Sequence, residues 1–359
     1  MDARPSPLSL KKVGSGRSEV STVSGLLGLG GGEDQRSSLP SPSSSASSSM
    51  FEYFGWVYHL GVNSIGHEYC HLRFLFIRGK YVEMYKRDPH ENPGIDAKLS
   101  LKRTSAADAT NKELDSEVAP VMIDTSQLHG TLRTGKDDTD TNCWTSPSGT
   151  GFMIRGKNYL KDNSKVMGGD PLLKLIGVDW FKVDKTIDRI ALHPRSLLQS
   201  EAGKKLPFVL VINLQVPAKP NYSLALYYAA DRPAKPNSLF AQFVDGTDMF
   251  RDARFKLIPS IVEGYWMVKR AVGTKACLLG KAVTCKYFRQ DNFLEIDVDI
   301  GSSSVARSVI GLVLGYVTSI VVDLAILIEG KEEAELPEYI LGTVRLNRLR
   351  LDSAVHLKV

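Results

Sequence analysis

At 359 residues, with 43% hydrophobic and 24% charged side chains, the chain has material for a sizeable core: two modest domains, or one larger one with tails. A formal net charge of +5, with Lys and Arg dispersed, lacks the concentrated basic face that nucleic-acid binding requires. Four cysteines, Cys70, Cys143, Cys277 and Cys285, include no C-x-x-C pair, which argues against a disulfide framework or a zinc ribbon and for reduced thiols in a cytosolic setting.

The opening residues lack the apolar run of a secretory signal, so Asn221-Tyr222-Ser223 is expected to start a strand rather than carry a glycan. Residues 1–49 combine glycines (Gly28, Gly30 to Gly32) with a serine tract and cannot bury enough apolar area to offset the entropy of ordering, which predicts a disordered tail. Residues 50–93 change character. Phe51 to Tyr58, Leu72 to Ile77 and Tyr81 to Tyr85 read as three short antiparallel strands parted by turn signals at Gly61 to Gly66 and Gly79-Lys80. A three-stranded sheet without a cover is marginal alone. Residues 94–142 are polar without a sustained period and read as a linker.

From Cys143-Trp144 the sequence is densely patterned to about residue 351. Strands are expected at Gly151 to Arg155, Phe208 to Val216, Ser223 to Ala229, Phe255 to Val262, Tyr265 to Val272, Leu278 to Phe288, Phe293 to Ile300 and Tyr339 to Leu349. Cys285 to Phe288 and Phe293 to Ile296 form a predicted hairpin. Helices are expected at Asp170 to Leu175, at Leu239 to Phe243 behind Asn237 or Ser238, and from Val305 to Glu329 behind Ser302 to Ser304, with Gly330 as the stop. The expected fold class is therefore α+β: a mostly antiparallel curved sheet with one long buried apolar helix, preceded by a partial sheet.

Val305 to Ile328 is apolar all round, as in a helix that is buried or crosses a membrane. Its length permits either. Held near a bilayer centre, Asp323 would cost about 2.5 to 3.5 kcal/mol, and the strand pattern that follows directly favours the buried reading. A long apolar helix along a curved sheet can also enclose an apolar ligand, with Val309, Val313, Tyr316 and Ile320 facing it.

Motifs that resemble catalytic signatures fail on context. His67-Glu68-Tyr69-Cys70-His71 fits the H-E-x-x-H zinc string, which requires a helix to bring both imidazoles to one metal. Here it runs into a strand, where the two histidines would stand about 13 Å apart at ~3.3 Å per residue. Gly151 to Lys157 spells G-x-x-x-x-G-K but is bulky inside and continues with Asn158 instead of Ser or Thr. Asp245, Asp248 and Asp252 read as helix-cap and dipole partners rather than a metal cluster. No catalytic residue, metal or cofactor is implied, and the chain is expected not to be an enzyme.

Longer strings carry a resemblance. Cys143-Trp144, Phe240-Ala241-Gln242-Phe243-Val244, Gly280-Lys281-Ala282-Val283-Thr284-Cys285 and Glu295-Ile296-Asp297-Val298-Asp299-Ile300-Gly301-Ser302-Ser303 closely resemble the C-terminal domain of the plant Enhanced Disease Resistance 2-like proteins, over 143–351. Gly55-Trp56-Val57-Tyr58, Leu72-Arg73-Phe74-Leu75-Phe76 and Lys80-Tyr81-Val82-Glu83-Met84-Tyr85 resemble the start of that family's pleckstrin-homology domain. The resemblance implies that basic side chains there meet phosphoinositide headgroups: Arg73, the weaker stand-in His71, and Arg78 and Lys80 nearby, with His59 where Lys or Arg is usual. The family's order is pleckstrin-homology, lipid-binding START, then C-terminal domain. Here 94–142 stands in place of the later pleckstrin strands and the whole START domain. What the resemblance implies is a cytoplasmic regulator, peripheral at endoplasmic reticulum, endosome or plasma membrane, that restrains plant defence and cell death. Its expected partners are an anionic or phosphoinositide lipid, an apolar lipid, or an unknown protein. The alternative is a soluble protein-interaction module without lipid binding.

Overall fold

Alternating aromatic and apolar residues build the first sheet. The computed structural model describes residues 21–22, 52–62, 68–78, 81–91, 99–102, 106–137 and 139–357, and the chain divides into two units, Met1–Lys102 and Arg103–Val359. In the first, β1 (Ser21–Thr22) lies parallel to β2 (Glu52–Val62), and β2, β3 (Glu68–Arg78), β4 (Tyr81–Tyr85) and β5 (Leu99–Lys102) follow as an antiparallel meander. Val57, Leu75 and Met84, one from each central strand, form a small buried cluster. Trp56 meets the Phe74 ring edge-on at 5.4 Å. The serine and glycine tail expected at 1–49 lies outside the described residues apart from the β1 backbone.

The second unit is built on strands that are apolar on both faces. It opens with α1 (Ala106–Glu113), β6 (Cys143–Thr145), β7 (Met153–Arg155), α2 (Tyr159–Asp162), β8 (Lys165–Met167) and β9 (Lys174–Val183). Then come β10 (Phe208–Val216), β11 (Asn221–Ala230), α3 (Leu239–Asp245), α4 (Asp248–Asp252), β12 (Phe255–Glu263), α5 (Trp266–Val272), β13 (Cys277–Leu278) and α6 (Leu279–Ala282). β14 (Thr284–Gln290), β15 (Phe293–Asp299), α7 (Ser304–Tyr316), β16 (Val321–Ile328), β17 (Ile340–Asn347) and β18 (Val355–Leu357) complete it.

These strands form two main sheets, ordered β14-β15-β10-β11-β9-β18 and β13-β12-β16-β17-β6. Pairing is antiparallel except between β10 and β15 and between β9 and β18. Leu210, Ile212, Leu226, Tyr228 and Ile296 of the first sheet and Phe255, Leu324, Ile326 and Val344 of the second share one buried cluster, so the sheets pack face to face. The outer faces are covered too: loops 187–206 lay Ile187, Ile190, Leu197 and Leu198 on the first sheet, and the β7-β8 hairpin lays Phe152 and Ile154 on the second. Strands covered on both sides lose the alternating pattern and read as continuous apolar runs.

That property explains the corrections. The expected helix Val305 to Glu329 is three elements: α7, a 3-10 turn at Val317–Ser319, and β16 at the centre of the second sheet. Its β-branched second half, buried on both faces, mimics an all-round apolar helix, and Ile320 consequently lies past the helix end. No residue of α7 is fully buried, so the long buried helix is replaced by a short, half-exposed one. Tyr265 to Val272, expected as a strand, contains α5, which Gly273 ends at φ +66°, donating its N–H to Lys269 O. Asp170 to Leu175 forms no helix and leads into β9. Leu278 to Phe288 breaks into the end of β13, then α6 and β14. The linker reading of 94–142 gives way at β5, which pairs with β4, and again from residue 106 on: Leu114 and Leu132 enter the main core, and Leu132 N donates to Val178 O at 3.0 Å. The α+β class stands, with mostly antiparallel sheets and few helices, but as two packed sheets.

Other expectations match their positions. The β14-β15 hairpin turns at Asp291-Asn292, Ser238 Oγ accepts from Ala241 N at 3.0 Å ahead of α3, and Ser303 Oγ accepts from Ala306 N at 3.3 Å ahead of α7.

Candidate functional site

The cations expected to meet lipid headgroups lie on and beside β3. The antiparallel register sets His71 opposite His59 and Arg73 opposite Val57. His71 and Arg73, two apart, share one face of the strand, and Arg78 is its last residue. His71 is exposed, and Arg73 is half-buried and donates from Nη1 to Leu72 O at 2.9 Å. Lys80 lies outside the described residues. Glu68 to His71 are part of β3, so the zinc string runs along a strand, with His67 outside the described residues. Asp245 and Asp248 pair with Arg289 and Arg251, and Asp252 accepts from Tyr287 Oη at 2.8 Å, which accounts for the acidic group as local ion pairs and a hydrogen bond.

An exposed apolar surface of the second unit surrounds α5 and α7. Only Val268 of α5 is buried, in a small cluster with Ile261 and Ile320. Tyr265 and Trp266 are 57% and 68% exposed, Met267 and Val262 are exposed beside them, and the Tyr265 ring lies 5.0 Å from that of Tyr316. On α7, Val309, Val313 and Tyr316 stand at i, i+4 and i+7, all half-buried, while a Cβ added at Gly311 or Gly315 would meet nothing within 4 Å. Exposed Lys269 and Arg270 accompany this surface on α5, and Lys275 follows on the next loop. Two clefts of the second unit, of about 240 Å³ beside Arg307 and about 390 Å³ beside Lys112, are lined without Val309, Val313, Tyr316 or Ile320.

A second constellation lies beneath loop 187–206, where a sheet face carries acids instead of apolar side chains. Glu295 Oε1 and Oε2 accept from the Ile190 and Ala191 N–H groups at 2.6 and 2.9 Å, and Asp297 Oδ2 accepts from Arg189 N at 3.1 Å. Asn213 Nδ2 donates to Asp297 Oδ1 at 2.7 Å, and Asp179 accepts from Tyr227 Oη at 2.8 Å and from Thr131 N at 2.7 Å. All four residues are buried. Burial, followed by the neighbouring Asp297 charge, pushes the Glu295 carboxyl up to about 9, and burial raises Asp297 and Asp179 as well. The acids clasp an irregular loop onto the sheet, with their oxygens taken up by backbone donors and side chains. Sequence reading did not single them out as a site, although Glu295, Asp297 and Asp299 recur at a period of two within an apolar strand, a signal of buried polar function.

The distinctive strings of the sequence coincide with this architecture: Phe240 and Phe243 plug the core, Glu295 and Asp297 form the clasp, and Asp299 to Ser303 lead into the cap of α7. Residues 144–350, spanning both sheets, match the family model described as Protein ENHANCED DISEASE RESISTANCE 2, C-terminal. The chain belongs to that family. A relative from Arabidopsis thaliana, Protein ENHANCED DISEASE RESISTANCE 2-like, is 43% identical over 240 residues, covering 67% of this chain and 33% of the relative. The chain thus spans about a third of the length of that Enhanced Disease Resistance 2-like protein. No solved structure matches significantly. The family match takes in the α5-α7 surface and the acid clasp, and it begins after α1.

Proposed function

We propose that this chain is a non-enzymatic regulator acting at a membrane surface, where it restrains plant defence and cell death. Family membership and the relative's name support the defence connection. The observation that carries the membrane reading is the α5-α7 surface, where Tyr265, Trp266 and Met267 project beside Lys269, Arg270 and Lys275. Aromatic rings with a polar edge next to Lys and Arg suit the headgroup boundary of an anionic bilayer. No helix among the described residues is long and apolar enough to cross a membrane, so the contact proposed is a peripheral one. The clasp is assigned a structural part in this reading, its perturbed carboxylates being buried and hydrogen-bonded to a loop.

In this reading the chain is cytoplasmic and visits endoplasmic reticulum, endosome or plasma membrane. His71, Arg73, Arg78 and Lys80 add headgroup attraction through charge-assisted hydrogen bonds, and the Val309, Val313 and Tyr316 face of α7, with Ile320 beyond it, contacts apolar acyl chains.

Co-sedimentation of the full chain with phosphatidylserine vesicles tests this. Trp266→Ala with Met267→Ala should weaken partitioning roughly tenfold or more, since one fully buried apolar side chain contributes ~1.5–3 kcal/mol and 1.4 kcal/mol is tenfold. Arg73→Ala, Arg78→Ala and Lys80→Ala together should lower it further and flatten its salt dependence. Absence of vesicle binding by the wild type, with the same surface instead retaining a defined protein in a pull-down, would replace membrane docking by the soluble interaction module.

A further inference from the structure

α5 stops at Gly273, whose positive φ turns the chain out of the helix, and a Cβ there would meet nothing within 4 Å. The loop at 273–276 that follows carries no hydrogen-bonded structure before β13 begins at Cys277. Thr274 is exposed in it, and its hydroxyl makes no hydrogen bond among the described residues. Two hydroxyls on and beside α7 are committed instead: Ser308 Oγ donates to Ser304 O at 3.0 Å and Ser319 Oγ to Tyr316 O at 2.9 Å.

The residues around Thr274 give that hydroxyl its setting. Lys269 and Arg270 precede it by five and four positions and Lys275 follows it, all exposed, on the surface that presents Tyr265, Trp266 and Met267. Lys269 Nζ donates to Val262 O at 3.0 Å, while Arg270 and Lys275 form no ion pair among the described residues. A reachable hydroxyl with cations on both sides in the sequence suits a kinase that selects its substrate by charge. A phosphate ester there carries roughly −1.5 to −2 at pH 7, enough to offset half or more of the charge on these three side chains. The ester also holds its own hydration, which opposes seating Trp266 against lipid beside it.

We propose that Thr274 is a phosphorylation site through which a basic-directed protein kinase releases the α5 surface from an anionic membrane, an inference that rests on that surface docking to a bilayer. The Thr274 hydroxyl oxygen bonds to the γ-phosphorus of ATP as the bond from that phosphorus to the β-phosphate oxygen breaks. ADP leaves, and the hydroxyl proton passes to a base of the kinase. Tyr265, Trp266 and Met267 supply the apolar hold, and the charge on the neighbouring loop decides whether the cations add to it.

Two measurements on the full chain test the switch. Incubation with ATP and a plant cytosolic extract, followed by peptide mass spectrometry, should place phosphate on Thr274, and its absence from that residue would overturn the site. Phosphothreonine inserted at position 274 during synthesis should lower partitioning onto phosphatidylserine vesicles roughly 10–30-fold, since each surface cation contributes about 1 kcal/mol and 1.4 kcal/mol is tenfold. Thr274→Glu, with one charge, should lower it less, and Thr274→Ala should leave it unchanged. Raising salt from about 0.1 M to about 0.5 M should narrow the gap between the phosphorylated and unmodified chains. A gap that salt leaves intact would assign the loss to unfolding of α5 and overturn the charge mechanism. Wild-type binding that phosphothreonine does not weaken would overturn the switch and leave membrane docking standing, whereas no wild-type binding at all would overturn both.

Discussion

Glu295 and Asp297, two residues apart on β15, point the same way under loop 187–206, and their chemistry sets a pH dependence for the fold. Both carboxyls are raised above their ordinary values of 4.5 and 3.8, Glu295 to about 9. Between about pH 4.5 and 9 the folded state therefore holds proton that the unfolded chain has released. The unfolded chain binds fewer protons there, so this contribution to stability is full below the unfolded value and is lost as pH rises through the window. Asp297→Asn removes the neighbouring charge and should flatten that decline; calorimetric melting from pH 5 to 9 checks it, and an unchanged slope in the variant would sink the idea. Gly342 makes a different demand, because a Cβ there would lie 2.4 Å from Cε1 of the buried Tyr228. Gly342→Ala should cost about 1–3 kcal/mol by overpacking, read from urea unfolding. At this scale the sequence was partly legible. Ser238 and Ser303 announce themselves as caps by residue type and place, whereas Glu113 and Lys112 look like any polar pair on a helix until α3 and the turn at Glu333–Glu335 close over them.

Among the elements, strands flanked by clear turns were legible nearly to the residue: Phe208–Val216 coincides with its expectation, and β12 and β15 end within one residue of theirs. Val305 to Ile328 was not, because a run apolar on every side fits a buried helix and a strand covered on both faces equally well, and period alone does not separate them. The local signals were the polar Thr318-Ser319 pair and the β-branched Val321, Val322, Ile326 and Ile328 after it. The two halves should respond differently to truncation. Ile326→Ala, fully buried in the sheet, should cost ~2–5 kcal/mol, and Leu312→Ala on the half-exposed α7 about 1 kcal/mol, measured by denaturant midpoint. Similar losses at both sites would contradict the division into helix and strand.

For the molecule as a whole, the sequence located the patterned region from 143 onward but missed that residues before it belong to the same unit, since Leu114, Leu128 and Leu132 anchor one at a time with no period between them. A fragment of residues 143–359 should accordingly unfold several kcal/mol more easily than one of 103–359, because each lost Leu contact is worth ~1.5–3 kcal/mol. Equal denaturation midpoints would show that α1 and its following loop rest on the fold without supporting it. The pairing of β6 with β17 has a further consequence, this one in time. Asn347 Nδ2 reaches Cys143 Sγ across 204 residues of chain, and β6 finds its place in the sheet only beside β17. Synthesis at ~5–20 residues per second leaves β6 waiting roughly 10–40 s for its neighbour. Throughout that interval the half-built second sheet presents apolar faces and open edges on the ribosome, so slow maturation is the expected kinetic counterpart of a sheet whose first and last strands in chain order lie side by side.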